Sequence, residues 1–78
     1  MPVEITEHAK ERMLAYEITE DMLFDVISAP DDILQGYWGR QVYQKRLNGY
    51  VLRIIVEAHK NIISVITLYK ARSARYET

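Results

Sequence analysis

Two runs of alternating apolar and polar positions lie on either side of Asn48-Gly49, and both are rich in β-branched and aromatic residues. Such alternation predicts β-strands. The Asn-Gly pair predicts the tight turn of a β-hairpin, because both residues accept the positive φ of a type I′ turn. A two-residue loop then determines which residues face each other, and the predicted pairs are Leu47 with Tyr50, Tyr43 with Ile54, Gln44 with Arg53 and Arg40 with Glu57.

The two faces of this hairpin differ in character, because side chains alternate across a sheet. One face is mainly large and apolar and is expected to carry the helices; it holds Tyr43, Leu47, Tyr50, Leu52, Ile54 and Val56, with Gln41 and Lys45 near its margins. The other face is basic and is expected to be exposed; it holds Arg40, Gln44, Arg46, Arg53 and Glu57, with Val42, Val51 and Ile55.

Further extended segments flank the hairpin. Residues 62–69 follow a polar break and are apolar on both faces, which predicts an inner strand or a covered one, with a register that this pattern leaves open. Residues 33–37 predict an edge strand that ends in a turn or bulge between Gly36 and Gly39. Residues 3–5 predict a short extended lead-in.

Helical periodicity is confined to the N-terminal part of the chain. Thr6 and Thr19 are each followed by acidic residues, as expected for N-caps of two helices at residues 8–16 and 20–28. Pro30 ends the second helix. The predicted apolar stripes are Ala9, Met13 and Tyr16 in the first helix, and Met22, Leu23, Val26 and Ile27 in the second.

These elements predict an α+β fold, in which two N-terminal helices pack on one face of a three- or four-stranded antiparallel β-meander. The 78 residues make a single domain, with a helical part at 6–29, a sheet part at 32–70 and a polar tail at 71–78. A chain of this length buries only about 60% of its unfolded surface. Pairing with a second copy, as a homodimer, or with another protein would therefore add stability.

Composition narrows the expected location. The absence of cysteine excludes disulfides and thiolate metal sites and suits the cytoplasm. No apolar run approaches the length of about 18 residues that a membrane span needs. The segment Met1-Pro2-Val3-Glu4 lacks the pattern of a secretion signal. A cytoplasmic protein without membrane contact is expected.

The net charge of −1 conceals a strong division along the chain. Nine acidic and two basic residues lie between Met1 and Asp32, whereas eight basic and two acidic residues follow from Ile33 onward. An acidic helical part thus accompanies a basic sheet. This division favours an anionic partner for the sheet.

His8 and Arg12 are four residues apart and share one face of the first helix. An imidazole transfers protons near neutral pH, and a guanidinium beside it would bind a phosphate. The alternative is a solvated histidine near a helix N-terminus, with an arginine paired to a nearby acid such as Glu4 or Glu11.

Arg40, Arg46 and Arg53 cluster on the hairpin with Lys45 nearby. One hypothesis is that this cluster binds RNA or phosphate, with bases stacked on Tyr37, Trp38 and Tyr43. The other is that the arginines are charges on an edge strand that prevent aggregation between sheets. Both hypotheses stay open.

The tail and the acidic residues offer weaker candidates. Arg72, Arg75 and Tyr76 would complete a site by folding over the sheet, or they form a frayed terminus. The paired acids lack a histidine at ligand spacing and are interpreted as helix-end and turn residues, so no metal or cofactor is expected.

A series of short segments spans nearly the whole chain in a characteristic order: Thr6-Glu7-His8-Ala9 with Arg12-Met13, Ile18-Thr19-Glu20-Asp21, Ser28-Ala29-Pro30-Asp31, Gly39-Arg40, Val42-Tyr43-Gln44-Lys45-Arg46, Val51-Leu52-Arg53-Ile54-Ile55, Tyr69, and Arg75-Tyr76. In this order they resemble the domain of unknown function 4258 family of small bacterial and phage proteins. One site departs from the pattern. Members of the family usually carry Arg-Gly immediately before the isoleucine that corresponds to Ile18, whereas this chain has Tyr16-Glu17 there.

That family is similar to the group of barnase, EndoU, colicin-type and RelE-type toxins, which are metal-independent ribonucleases with helices packed on an antiparallel sheet. The resemblance implies that His8 is the general base or acid and that Arg12 and Arg53 clamp the phosphate, assisted by Lys45 or Arg46. Tyr43, Tyr69 or Tyr76 would stack on a base or relay a proton. The predicted catalytic residues are His8, Arg12 and Arg53, and the predicted substrate-binding residues are Arg40, Tyr43, Lys45, Arg46, Tyr69, Arg75 and Tyr76.

Two functions are therefore expected as alternatives. The first is a metal-independent endoribonuclease of toxin type, acting on RNA and held by a small antitoxin protein. The second is a protein-interaction module without catalysis in a toxin–antitoxin or phage setting.

Overall fold

The computed structural model describes residues 2–72 and has α+β architecture. Two helices and five strands are joined by short connections. In chain order the elements are β1 (Val3–Ile5), α1 (Glu7–Tyr16), α2 (Glu20–Ser28), β2 (Asp32–Gln35), a short 3₁₀ turn (Tyr37–Gly39), β3 (Arg40–Leu47), β4 (Tyr50–His59) and β5 (Ile62–Arg72). Neither helix of the described part has the length and apolarity needed to cross a lipid bilayer.

The strands form one mixed sheet in the order β1-β5-β4-β3-β2. The expectation of a three- or four-stranded antiparallel meander is wrong in two respects, since the sheet has five strands and β1 pairs with β5 in parallel. Val3 lies opposite Ile63, and Ile5 lies opposite Val65. A three-residue strand is too short to show a periodicity, so the lead-in gave no sign of its partner.

The central hairpin has the predicted register, with Leu47 opposite Tyr50 and Arg40 opposite Glu57. The predicted type I′ turn is wrong. Gly49 has a φ of 79°, but Asn48 is not among the described residues with positive φ. Only Gly49, which has no Cβ to clash, adopts a positive φ in this turn.

Strand β5 is an inner strand, as its two apolar faces predict, and it lies between β1 and β4. Its pairing with β4 shifts by one residue, because Ile55 lies opposite Thr67 whereas Val56 lies opposite Val65. Ile66 is the extra residue of this β-bulge. The strand continues to Arg72, beyond the predicted end at residue 69.

Both helices begin at the predicted caps. The Thr19 side chain accepts a hydrogen bond from the Met22 backbone nitrogen at 3.2 Å. The Thr6 hydroxyl accepts one from the Ala9 nitrogen at 3.2 Å and donates to the Val65 oxygen, 2.9 Å away. Thr6 therefore caps α1 and also fastens the start of this helix to β5 near the bulge.

The core lies between the two helices and the sheet face that they cover. The helices contribute apolar residues at helical spacing, and β4 contributes the alternate residues Leu52, Ile54 and Val56, as the pattern predicts for one buried face. β5 contributes Val65 and Leu68, which are three residues apart because the bulge at Ile66 lies between them. The buried core cluster consists of Ala9, Met13, Ile18, Leu23, Val26, Leu52, Ile54, Val56, Val65 and Leu68.

Candidate functional site

The sheet face turned away from the helices carries the three hairpin arginines. The register places Arg40 opposite Glu57, Gln44 opposite Arg53 and Arg46 opposite Val51, and alternation puts all of these side chains on one side. We call this surface the basic face; it comprises Arg40, Val42, Gln44, Arg46, Val51, Arg53, Ile55, Glu57, Thr67 and Tyr69 of strands β3, β4 and β5.

Arg53 and Tyr69 form the best-defined pair on the basic face. They are direct partners across β4 and β5. The Arg53 Nη1 donates a hydrogen bond to the Tyr69 hydroxyl at 2.6 Å, and the guanidinium carbon lies 5.6 Å from the centre of the Tyr69 ring. Both side chains are half-buried. The contact holds the guanidinium in one orientation, which favours recognition of an anion of fixed geometry.

His8 lies at the margin of the same face. Its Nε2 is 3.0 Å from the Thr67 hydroxyl oxygen. Thr67 and Tyr69 are alternate residues of β5 and are separated by about 7 Å along the strand. The exposed imidazole is thereby a neighbour of the Arg53–Tyr69 pair. Sequence reasoning missed Thr67, because the register of β5 decides its position.

Arg12 has a different environment from the one expected. Its Nη2 donates to the Tyr16 hydroxyl at 2.8 Å, and its guanidinium carbon lies 4.9 Å from the Tyr16 ring centre. The helix brings these residues together because they are four apart. The contacts of Arg12 are thus made within α1, neither with an acid nor with Arg53.

Tyr43 and Lys45 project from the helix-covered face, as the hairpin pattern predicts. The Lys45 Nζ lies 3.0 Å from the Asp25 Oδ2 of α2. Tyr43 is half-buried and packs against the core cluster. The structure therefore separates these two predicted substrate-binding residues from Arg53 by the thickness of the sheet.

The remaining predicted residues divide between the basic face and the undescribed end of the chain. The Arg40 Nε lies 3.7 Å from the Glu57 Oε2. Arg46 is exposed, and its backbone nitrogen donates to the Asp31 carboxylate at 2.8 Å. Arg75 and Tyr76 lie outside the described residues. Within residues 2–72, no group of three or more His, Asp or Glu side chains has the arrangement of a metal site.

Two aromatic side chains stand out at the opposite end of the sheet. Tyr37 and Trp38 are 83% and 86% exposed, and their ring centres lie 5.8 Å apart. They occupy the loop between β2 and β3, where Trp38 has a φ of 58°. The two glycines around them gave the sequence signal for a turn.

Comparison with known proteins identifies the chain by its family alone. A search of curated proteins and a search of solved structures both found no match. The model of one protein family matches residues 5–70, from the end of β1 to the last part of β5. This match covers both helices and all of the residues described around His8 and Arg53. The chain therefore belongs to the family described as domain of unknown function DUF4258.

Proposed function

We propose that this protein is a metal-independent endoribonuclease whose site lies where α1 meets the basic face. The observation that supports it is the proximity of two contacts along β5, His8 with Thr67 and Arg53 with Tyr69. They combine a proton-transferring group with an oriented guanidinium. Internal transesterification of RNA requires both.

In the proposed reaction His8 is the general base. Thr67 orients the imidazole through Nε2, and Nδ1 has no hydrogen-bond partner among the described residues. Nδ1 accepts the proton of a ribose 2′-hydroxyl, and the 2′-oxygen then attacks the adjacent phosphorus. The bond from phosphorus to the 5′-oxygen breaks, which yields a 2′,3′-cyclic phosphate and a free 5′-hydroxyl.

Arg53 stabilises the negative charge that builds on the phosphate oxygens during this attack. The Tyr69 hydroxyl, held at 2.6 Å by Arg53, donates the proton that the leaving 5′-oxygen takes up. Arg46 and Arg40 lie along β3 on the same face and attract the flanking phosphates. Arg12, which contacts Tyr16, steadies α1 behind His8 in this scheme.

The test is cleavage of a structured RNA by purified protein in the presence of EDTA. Wild type is compared with His8→Ala, Arg53→Lys and Tyr69→Phe. The lysine keeps the charge but loses the planar fork, and the phenylalanine keeps the ring but loses the hydroxyl. We expect His8→Ala to lower the rate at least about 100-fold, as is typical for loss of a general base.

The matched control is His59→Ala, since His59 is the second of the two histidines of the chain and lies at the end of β4. Circular dichroism establishes that every variant is folded. Cleavage by wild type and His59→Ala, with products that end in a cyclic phosphate, supports the proposal. Equal rates for His8→Ala and wild type, or no cleavage by folded wild type, would refute it.

A role in protein interaction, including binding of an antitoxin, is the second candidate. The observation that favours it is strand β2, all four residues of which are exposed at the edge of the sheet. Exposed edges accept strands from other chains. A folded protein that binds a partner but cleaves no RNA would support this role over the enzyme.

A further inference from the structure

The edge strand β2 and the loop after it form an exposed apolar surface. Ile33 and Leu34 are 48% and 41% exposed, and Tyr37 and Trp38 are exposed almost fully. Within residues 2–72, β2 is hydrogen-bonded only to β3 and ends the sheet. Helix α2 packs over β3 and β4, so the outer side of β2 is accessible. A row of unpaired backbone groups beside apolar side chains is a template for another strand.

We infer that this edge pairs with the same edge of a second copy of the chain. The two β2 strands lie antiparallel about a two-fold axis that passes beside Leu34, and the two sheets become continuous. This inference does not rest on the proposed ribonuclease activity, although Arg40 takes part in both.

The backbone restricts the register of such a pair. The Gly36 nitrogen donates to the Arg40 oxygen at 2.8 Å, so Gly36 is directed towards β3. Backbone direction alternates in an antiparallel ladder, and Ile33 and Gln35 are therefore directed outward. A two-fold axis perpendicular to the sheet keeps both sets of helices on one side. It pairs Ile33 of one copy with Gln35 of the other and brings the two Leu34 residues together.

Charge complementarity favours this register over the neighbouring registers of the two β2 strands. In this register Asp32 of one copy lies opposite Gly36 of the other. Arg40 is the neighbour of Gly36 on β3, and its side chain lies on the same face of the sheet. Gly36 has no side chain to intervene, and a Cβ there would lie 3.8 Å from the Arg40 Cβ. Arg40 therefore reaches over Gly36 towards the carboxylate. A register with Ile33 opposite itself would instead put Asp32 against Leu34.

The surroundings of Arg40 fit this role. Its Nε is buried, has no hydrogen-bond partner among the described residues and lies 3.7 Å from Glu57. A shallow cavity of about 220 Å³ opens beside it on the basic face, lined by Gly36, Tyr37, Trp38, Arg40, Val42 and Ile55. The Asp32 carboxylate of the second copy enters at the rim of this cavity. Arg40 thus gains a second carboxylate in addition to Glu57 of its own copy.

The interface is small, because it consists of one short strand and one loop from each copy. Interfaces below about 1,200 Å² are typical of weak and transient complexes. The dimer is therefore expected to dissociate on dilution, and its detection requires either high concentration or covalent capture.

Cysteine substitution tests both the partner and the register. The chain contains no cysteine, so an introduced thiol is the only one present. Directly opposed residues of a non-hydrogen-bonded pair have Cα atoms about 4.5 Å apart, within the range of a disulfide. Leu34→Cys is expected to form a covalent dimer on mild oxidation. Ile33→Cys and Gln35→Cys are expected to remain uncrosslinked, because their equivalents lie more than about 7 Å apart.

Analytical ultracentrifugation provides the independent measurement. Wild type is expected to approach the dimer mass as concentration rises, whereas Leu34→Lys stays monomeric. Phe24→Lys is the matched control, since Phe24 is 40% exposed, like Leu34, but lies on α2. Phe24→Lys should dimerise as wild type does, and circular dichroism establishes that both lysine variants are folded.

Three results would overturn the inference. Wild type that stays monomeric at the highest soluble concentration excludes a second copy as the occupant. Efficient crosslinking through Ile33→Cys rather than Leu34→Cys refutes the register. Quenching of Trp38, the single tryptophan, by a short single-stranded RNA bound to monomeric protein would assign the edge to nucleic acid instead.

Discussion

Replacing Glu17 by glycine should stabilise the protein, because Glu17 adopts a backbone conformation that favours glycine. It follows α1 with φ 58° and ψ 43°. The Glu17 nitrogen donates to the Leu14 oxygen at 3.3 Å, and the Ile18 nitrogen donates to the Met13 oxygen at 2.8 Å. These two bonds form a Schellman motif, and Ile18 and Met13 both belong to the buried core, which matches the hydrophobic contact that frequently accompanies this motif.

The magnitude follows from opposing contributions. A left-handed conformation costs an L-residue about 1–2 kcal/mol, and glycine avoids this cost. The greater freedom of glycine in the unfolded chain opposes the gain by about 0.4–1 kcal/mol. Removing an acidic side chain from a helix C-terminus adds a few tenths, since a carboxylate repels the negative end of the helix dipole. The net gain in unfolding free energy is about 1 kcal/mol.

Thermal and urea unfolding measure this gain. A change of 1 kcal/mol shifts the Tm of a domain of this size by roughly 4–8 °C. Glu17→Ala is the matched control, because it removes the charge but keeps the Cβ. Glu17→Gly should therefore exceed Glu17→Ala by at least about half of the total gain. A glycine variant no more stable than the alanine variant would refute the argument from backbone strain.

The caps and the core give further predictions for the same unfolding assays. Thr6→Ala should lower the free energy of unfolding by about 2 kcal/mol, and Thr19→Ala by only about 1 kcal/mol. The reason is that Thr6 caps α1 and also donates to the Val65 oxygen of β5, whereas Thr19 caps only its own helix. Equal losses of stability would contradict this reasoning. Leu52→Ala should cost about 2–5 kcal/mol, since Leu52 is fully buried. Leu47→Ala, at a half-buried position on the same face, should cost clearly less, and the reverse order would show that the face is assigned wrongly.

Local pattern was sufficient for the helices and for the central hairpin. Thr6 and Thr19 marked the starts of the helices, and a two-residue loop determined every pair between β3 and β4. The same alternation correctly separated Arg53 from Tyr43. These features depend on neighbours within a few residues along the chain, and the required information is therefore present in each segment.

Tertiary structure alone decided which distant segments meet. β1 has three residues and β5 is apolar on both faces, so neither pattern specifies a partner or a register. β1 pairs with β5 in parallel, and the bulge at Ile66 lies beside Thr67, whose hydroxyl oxygen is 3.0 Å from the His8 Nε2. The candidate site combines an imidazole from α1 with a guanidinium from β4, and the sequence therefore predicted its residues only in part. Its geometry comes from contacts between residues nearly sixty positions apart, which no local periodicity encodes.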